Sequence, residues 1–167
     1  MKPLSLESIN ATSFYNVELS EREGFYQFFT DYGVHYAIGF VKSDLLNKDE
    51  VYELMIANLN NQSSKRDSHV REVIIAIIDD FFEQNNDTLL YICETGDNKQ
   101  AGRSRLFEYW FSMYSKKALF TMLSTTIVDS DGVPNFATII TRNDNPNYVD
   151  IISEFTETVQ LLSNKPD

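Results

Sequence analysis

The sequence predicts an α+β fold, a mostly antiparallel sheet of about five strands with helices packed on one face. Three observations lead there. Hairpin signals stand toward both ends of the chain, helical periodicity fills much of the middle, and one short apolar run lies between two helical patterns. The expected element order is β-β-α-α-β-α-β-β-α. At 167 residues a chain buries enough surface to hold a core without disulfide or metal, so one domain over residues 1–167 is expected.

Residues 1–12 read as a loosely attached N-terminal arm. "SFYNVEL" has the composition of a short strand. "GFYQFFTDYGVHYAIGF" reads as a hairpin. Aromatic and β-branched residues flank Asp31-Tyr32-Gly33, where glycine can supply positive φ, and Tyr36, Ile38 and Phe40 alternate as one apolar face. From Lys48 to Asn60, Val51, Leu54, Met55 and Leu59 recur at helical spacing behind Asn47, a candidate N-cap, and predict a helix. The spacing predicts a second helix over Ser68 to Gln84, capped by Asp67, with Val70, Val73, Ile74, Ile77, Ile78, Phe81 and Phe82 on one stripe.

"TLLYICE", Thr88 to Glu94, has the make-up of a buried strand. A polar turn leads into a helix from about Lys99 to Lys116. Strands near Ala118 to Val128 and Asn135 to Arg142 flank "DSDGVP", a turn signal. Asn145-Pro146 announces a last helix whose apolar face is Tyr148, Ile152, Phe155, Val159 and Leu162. The link from Thr88–Glu94 through the third helix to Ala118–Val128 suits a right-handed crossover joining a parallel pair.

Composition excludes several function classes. With 25 acidic residues against 14 Lys plus Arg, a net charge of -11, the chain repels phosphate backbones and anionic lipid, so neither nucleic acid nor membrane is an expected partner. One cysteine forms no intrachain disulfide. The opening residues lack the apolar core expected of a signal peptide, and the longest apolar run, Val73 to Ile78, is too short to span a bilayer. A soluble cytoplasmic protein is expected.

Candidate chemistry concentrates in "YICETGDNKQAGRSRLFEYWF". Cys93, Glu94, Asp97 and Arg103 fall where a strand ends and a helix begins, a junction whose unpaired N–H groups suit an anion. The same residues also read structurally. Thr95, Asp97 or Asn98 can cap the helix, Cys93 can be an inert packing thiol, and Arg103 can pair with a carboxylate such as Asp97, Glu94, Asp67 or Asp79. Arg103 shares a helical face with Phe107, Trp110 and Tyr114, aromatic residues whose ordinary place is a core. On that reading the guanidinium is held against its own protein and ties the helix to the sheet. His35 and His69 are too isolated for a metal site, and "DSDG" lacks the later glutamate of a calcium loop. No cofactor or metal is expected.

The hairpin "YQFFTDYGVHYAIGF", the helix opening "DSHVREVIIAIIDDFF" and the run just quoted together resemble a family of small uncharacterised bacterial proteins of unknown function. Its pattern is a cysteine followed by an acid, then an Asp, an Arg and Phe-x-x-Trp-Phe on the next helix. Cys93, Asp97, Arg103, Phe107, Trp110 and Phe111 occupy those positions, with Glu94 where the pattern has Asp. The resemblance covers roughly Tyr26 to Phe111 and implies no activity.

Two functions follow from the residues. The first is a small acidic interaction or regulatory protein without catalytic activity, whose partner is another protein or a second copy of itself. The alternative is an anion-binding or hydrolytic site at Cys93–Arg103, with Cys93, Glu94, Asp97 and Arg103 as ligand contacts. Catalytic residues are unassigned, and whether the chain is an enzyme stays open.

Overall fold

A computed structural model describes residues 1–47, 49–63, 65–93 and 97–163. In chain order its elements are α1 (Leu6–Thr12), β1 (Glu18–Leu19), β2 (Phe25–Phe29), β3 (His35–Ser43), β4 (Val51–Asn58), α2 (Ser68–Gln84), β5 (Thr88–Cys93), α3 (Gln100–Ser112), β6 (Phe120–Val128), β7 (Pro134–Arg142) and α4 (Tyr148–Ser163). The class is α+β. The sheet is mixed and seven-stranded, in the order β1-β2-β3-β4-β5-β7-β6. Among the described residues no helix is long and apolar enough to cross a membrane.

The chain forms two compact units, Met1–Val41 with Leu54–Asn86, and Lys42–Glu53 with the chain from Asp87 onward. In the first unit β2 and β3 form the expected hairpin, Phe25 opposite Gly39 and Phe29 opposite His35. Gly33 takes φ +76° in its turn, a conformation that costs glycine nothing. The whole expected stripe of α2, from Val70 to Phe82, is buried, and Phe81 stacks on Phe40 at 4.8 Å. Asp67 caps α2 by accepting the His69 N–H at 3.0 Å, and its second oxygen accepts the Tyr15 hydroxyl at 2.7 Å. Burial first, then that carboxylate, pushes the Tyr15 pKa up to about 12. Residues 1–12, expected as an arm, carry α1: Ile9 is buried, and the Ser5 N–H donates to Asp80 at 2.7 Å. Seven residues are too few for helical periodicity to be read from sequence.

In the second unit β5 pairs in parallel with β4, Val51 opposite Thr88, and antiparallel with β7, Leu90 opposite Ile139. β6 pairs antiparallel with the outer side of β7 along its full length. Leu90, Ala137 and Ile139 cluster with Ile151 and Phe155 of α4. Tyr91 alternates to the other face and meets Phe107 of α3, ring centroids 4.3 Å apart. Helices therefore cover both faces of this part of the sheet.

Five expectations are corrected. The helix expected from Lys48 to Asn60 is β4; Lys48 itself lies outside the described residues. Its Val, Tyr and Ile content suits a pleat, and pairing with β5 outweighs the coincidental three- and four-residue spacing of Val51, Leu54 and Met55. Asn47, expected as that helix's cap, bonds Glu154 instead, through its N–H at 2.7 Å and its amide at 2.9 Å. The sheet has seven strands rather than about five, because β4 and the two-residue β1 join it. The parallel pair is β4–β5; β7 lies between β5 and β6, antiparallel to both, so no crossover pairs them. Finally, helices do not keep to one face, since α3 and α4 bury opposite sides of β5 and β7.

Two substitutions test this packing. Phe155→Ala should lower stability by about 3–5 kcal/mol through the cavity it leaves. The Phe25 ring lies over Gly39, where a Cβ has no room. Gly39→Ala should therefore cost about 1–3 kcal/mol in a urea melt, and Phe25→Ala in the same chain should recover part of the loss.

Candidate functional site

The junction between β5 and α3 brings three of the four expected residues together. Cys93 ends β5 with 2% of its surface exposed, because β5 is covered on both faces. The Tyr91 hydroxyl and the Arg103 guanidinium are its polar neighbours. Burial dominates and raises the thiol pKa, and these two neighbours offset it only in part. Burial likewise raises the Tyr91 hydroxyl, with the Cys93 sulfur adding to it. Both groups are thus neutral at physiological pH.

Asp97 faces the same guanidinium. Arg103 Nη1 donates to both of its carboxylate oxygens, at 2.8 and 2.9 Å, and the Lys99 N–H donates to Oδ1 at 3.0 Å. The guanidinium holds the Asp97 carboxyl below the usual range. The pair sits at the surface, with side chains 40% and 48% exposed, so solvent weakens it. Arg103 is therefore half in water rather than sequestered, while still lowering the pKa of the neighbouring thiol. Glu94 lies outside the described residues.

Other polar groups at the start of α3 are committed elsewhere. Lys99 stands at the N-cap position without a capping side-chain bond, and Asp97 takes its N–H from outside the helix. Gln100, 6% exposed, donates to the Pro134 carbonyl at 3.2 Å, while its Oε1 has no partner. That orphan is an acceptor, the wrong polarity for an anion. Among the described residues no cluster of three metal-ligating side chains occurs.

The far side of α3 was not legible as a surface. Phe107 is buried and Trp110 half-buried, yet Leu106, Tyr109 and Met113 are 42%, 46% and 63% exposed on one face of the helix. The signal was present: Leu106, Phe107, Tyr109, Trp110 and Phe111 spread over more than half of the helix circumference, and a helix against one sheet buries only part of so wide an arc. A groove of about 220 Å³ runs beside it, lined in part by Ser104, Arg105 and Glu108 of α3 and by Ser124, Thr126 and Phe136. Cys93, Asp97 and Arg103 do not line that groove.

The profile of a family of unknown function, DUF6169, matches residues 66–157, more than half of the chain. The chain belongs to that family. The match takes in α2 through most of α4, including Cys93, Asp97 and Arg103, and overlaps the stretch that carries the resemblance from residue 66 to Phe111. No curated protein and no solved structure matches the chain.

The raised thiol gives a signed pH dependence. Above about pH 8.5 the unfolded chain releases the cysteine proton while the folded chain keeps it, so stability falls as pH rises. Urea midpoints measured from pH 7 to 9.5 should show that decline, and Cys93→Ala should flatten it.

Proposed function

We propose that this chain is a small acidic binding module without catalytic activity that engages another protein through the outer face of α3. The observation that carries the reading is the exposed row Leu106, Tyr109 and Met113, beside the half-buried Trp110. Aromatic and Met side chains of this kind supply most of the energy of protein interfaces when a partner excludes water from them. Arg105 and Glu108 are exposed on the same helix and give the row a charged rim. The groups nearby with chemical potential are occupied with one another. The thiol is neutral, and Arg103 is matched by Asp97. A net charge of -11 favours a partner with a basic surface and speeds its encounter.

One observation favours a second reading, a small-anion site. The Arg103–Asp97 pair opens to water at the first turns of α3, and an anion that displaced Asp97 would meet the guanidinium at the start of that helix.

The two readings separate experimentally. Replacing Leu106, Tyr109 and Met113 together with Ser should abolish retention of a protein partner in affinity capture while circular dichroism and the urea midpoint stay unchanged. Equal retention by the variant counts against the α3 surface. Under the anion reading, Asp97→Asn should bind inorganic phosphate more tightly than the parent in calorimetry. Absence of heat from both removes that reading.

A further inference from the structure

We infer that β6 is a self-pairing edge, through which two copies of this chain join their sheets in antiparallel register about a two-fold axis at Ser124. This goes beyond the binding role of α3, because it uses a different surface and fixes the partner as a second copy.

The backbone supplies the first argument. β6 ends the strand order, and β7 occupies its inner side. At one end of that ladder the Asn143 N–H donates to the Leu119 carbonyl at 2.9 Å; at the other the Asp129 N–H donates to the Val133 carbonyl at 3.0 Å. In an antiparallel ladder the residues that exchange hydrogen bonds alternate with those that do not. Odd-numbered residues of β6 therefore turn their N–H and C=O toward β7. Met122, Ser124 and Thr126 turn theirs to the outer side, where among the described residues no strand follows. An unpaired row of donors and acceptors takes a strand as its complement.

The second argument concerns which strand. Natural edges are guarded by charge, proline or shortness. The opposite end of the order, β1, is guarded by its two-residue length. β6 has nine residues, FTMLSTTIV, with no charge, no proline and no glycine. The chain carries 25 acidic residues and none falls in this strand, so two copies can meet here without setting carboxylates against each other at the axis.

Charge at the ends of the strand then selects orientation and partner. Lys117 stands just before β6 and Asp131 just after it, both exposed. Pairing over the full strand puts Ser124 opposite its own copy, Met122 opposite Thr126 and Phe120 opposite Val128. The extended register stops at the 3-10 turn Lys117–Leu119 on one side and at the Asp129–Gly132 turn on the other, but antiparallel pairing still brings the end of each strand that carries Lys117 to the end of the other copy's strand that carries Asp131, twice by symmetry. Parallel pairing would instead set lysine against lysine and aspartate against aspartate. In the antiparallel register Met122, Ser124 and Thr126 also meet as reciprocal hydrogen-bonding pairs, which a shift by one residue would forbid. Because this contact uses the same surface on both copies, it closes at two chains and leaves no edge to extend.

Sedimentation velocity across a concentration series is the test, with the intact chain. The parent should sediment as a dimer that dissociates on dilution. Ser124→Pro removes the outward N–H at the axis without touching the ladder to β7, and should give a folded monomer. Lys117→Asp or Asp131→Lys alone should weaken the dimer roughly tenfold, and the two together should restore it. A parent that stays monomeric overturns the proposal. So does a dimer that survives a folded Ser124→Pro, or one that ignores both charge reversals. The Ser variant of Leu106, Tyr109 and Met113 should still dimerise; if it alone becomes monomeric, association belongs to α3 and the β6 pairing is wrong.

Discussion

Burial of β5 on both faces is the constraint around which the second unit is arranged. Thr88, Leu89, Leu90 and Cys93 are almost wholly enclosed, and a strand with no solvent face needs cover above and below. The face of Leu90 is met by Ile151 and Phe155 of α4, that of Tyr91 by Phe107 of α3. Thr88 brings a hydroxyl into this dry place, where it donates to Asp49 at 2.8 Å and lies 3.2 Å from the Thr141 hydroxyl. Both contacts fall within hydrogen-bonding range, and an unpartnered hydroxyl there would be costly.

The chemistry of the junction follows from the same burial. A thiol at the end of an exposed strand, beside an arginine, would ionise readily and invite a nucleophilic reading. Cys93 ends an enclosed strand, so desolvation outweighs the neighbouring cation and the thiol stays protonated. Arg103 then spans two regimes, with the sulfur below it and Asp97 in water above it. What sequence spacing alone presents as Cys, Asp and Arg in reach of one substrate is, in space, a linkage of strand, loop and helix.

How much of this was legible depends on whether the signal is local. α2 carries seven apolar residues at helical spacing behind an aspartate cap, and both the stripe and the cap appear as read. The hairpins around Gly33 and Gly132 are local too, since each turn places a glycine at positive φ. β4 was misread because its identity is settled by a partner: Val51 faces Thr88, 37 positions along the chain, and no feature of residues 48–60 records that pairing. At the junction Cys93, Asp97 and Arg103 are grouped by spacing, but the sign of the thiol's shift depends on β7 and the α3 side of the sheet closing over β5. The exposed side of α3 lay between these cases. A wide arc of apolar residues is visible, and only the geometry of one sheet face shows which of them are left in water.

The location of the exposed residues bears on function as much as their number. A strongly acidic chain keeps its copies apart by long-range repulsion, which screening reduces over about 8–10 Å in physiological salt. Against that background, an uncharged strand bounded by a lysine on one side and an aspartate on the other is a local departure from the overall field. Short-range hydrogen bonds act only after the copies have approached, so repulsion governs the encounter and the edge governs the register. The same acidity hinders parallel pairing, which would bring the Asp131 residues together without a compensating lysine. On this account net charge and neutral edge act jointly: the first keeps indiscriminate association weak, and the second admits one geometry.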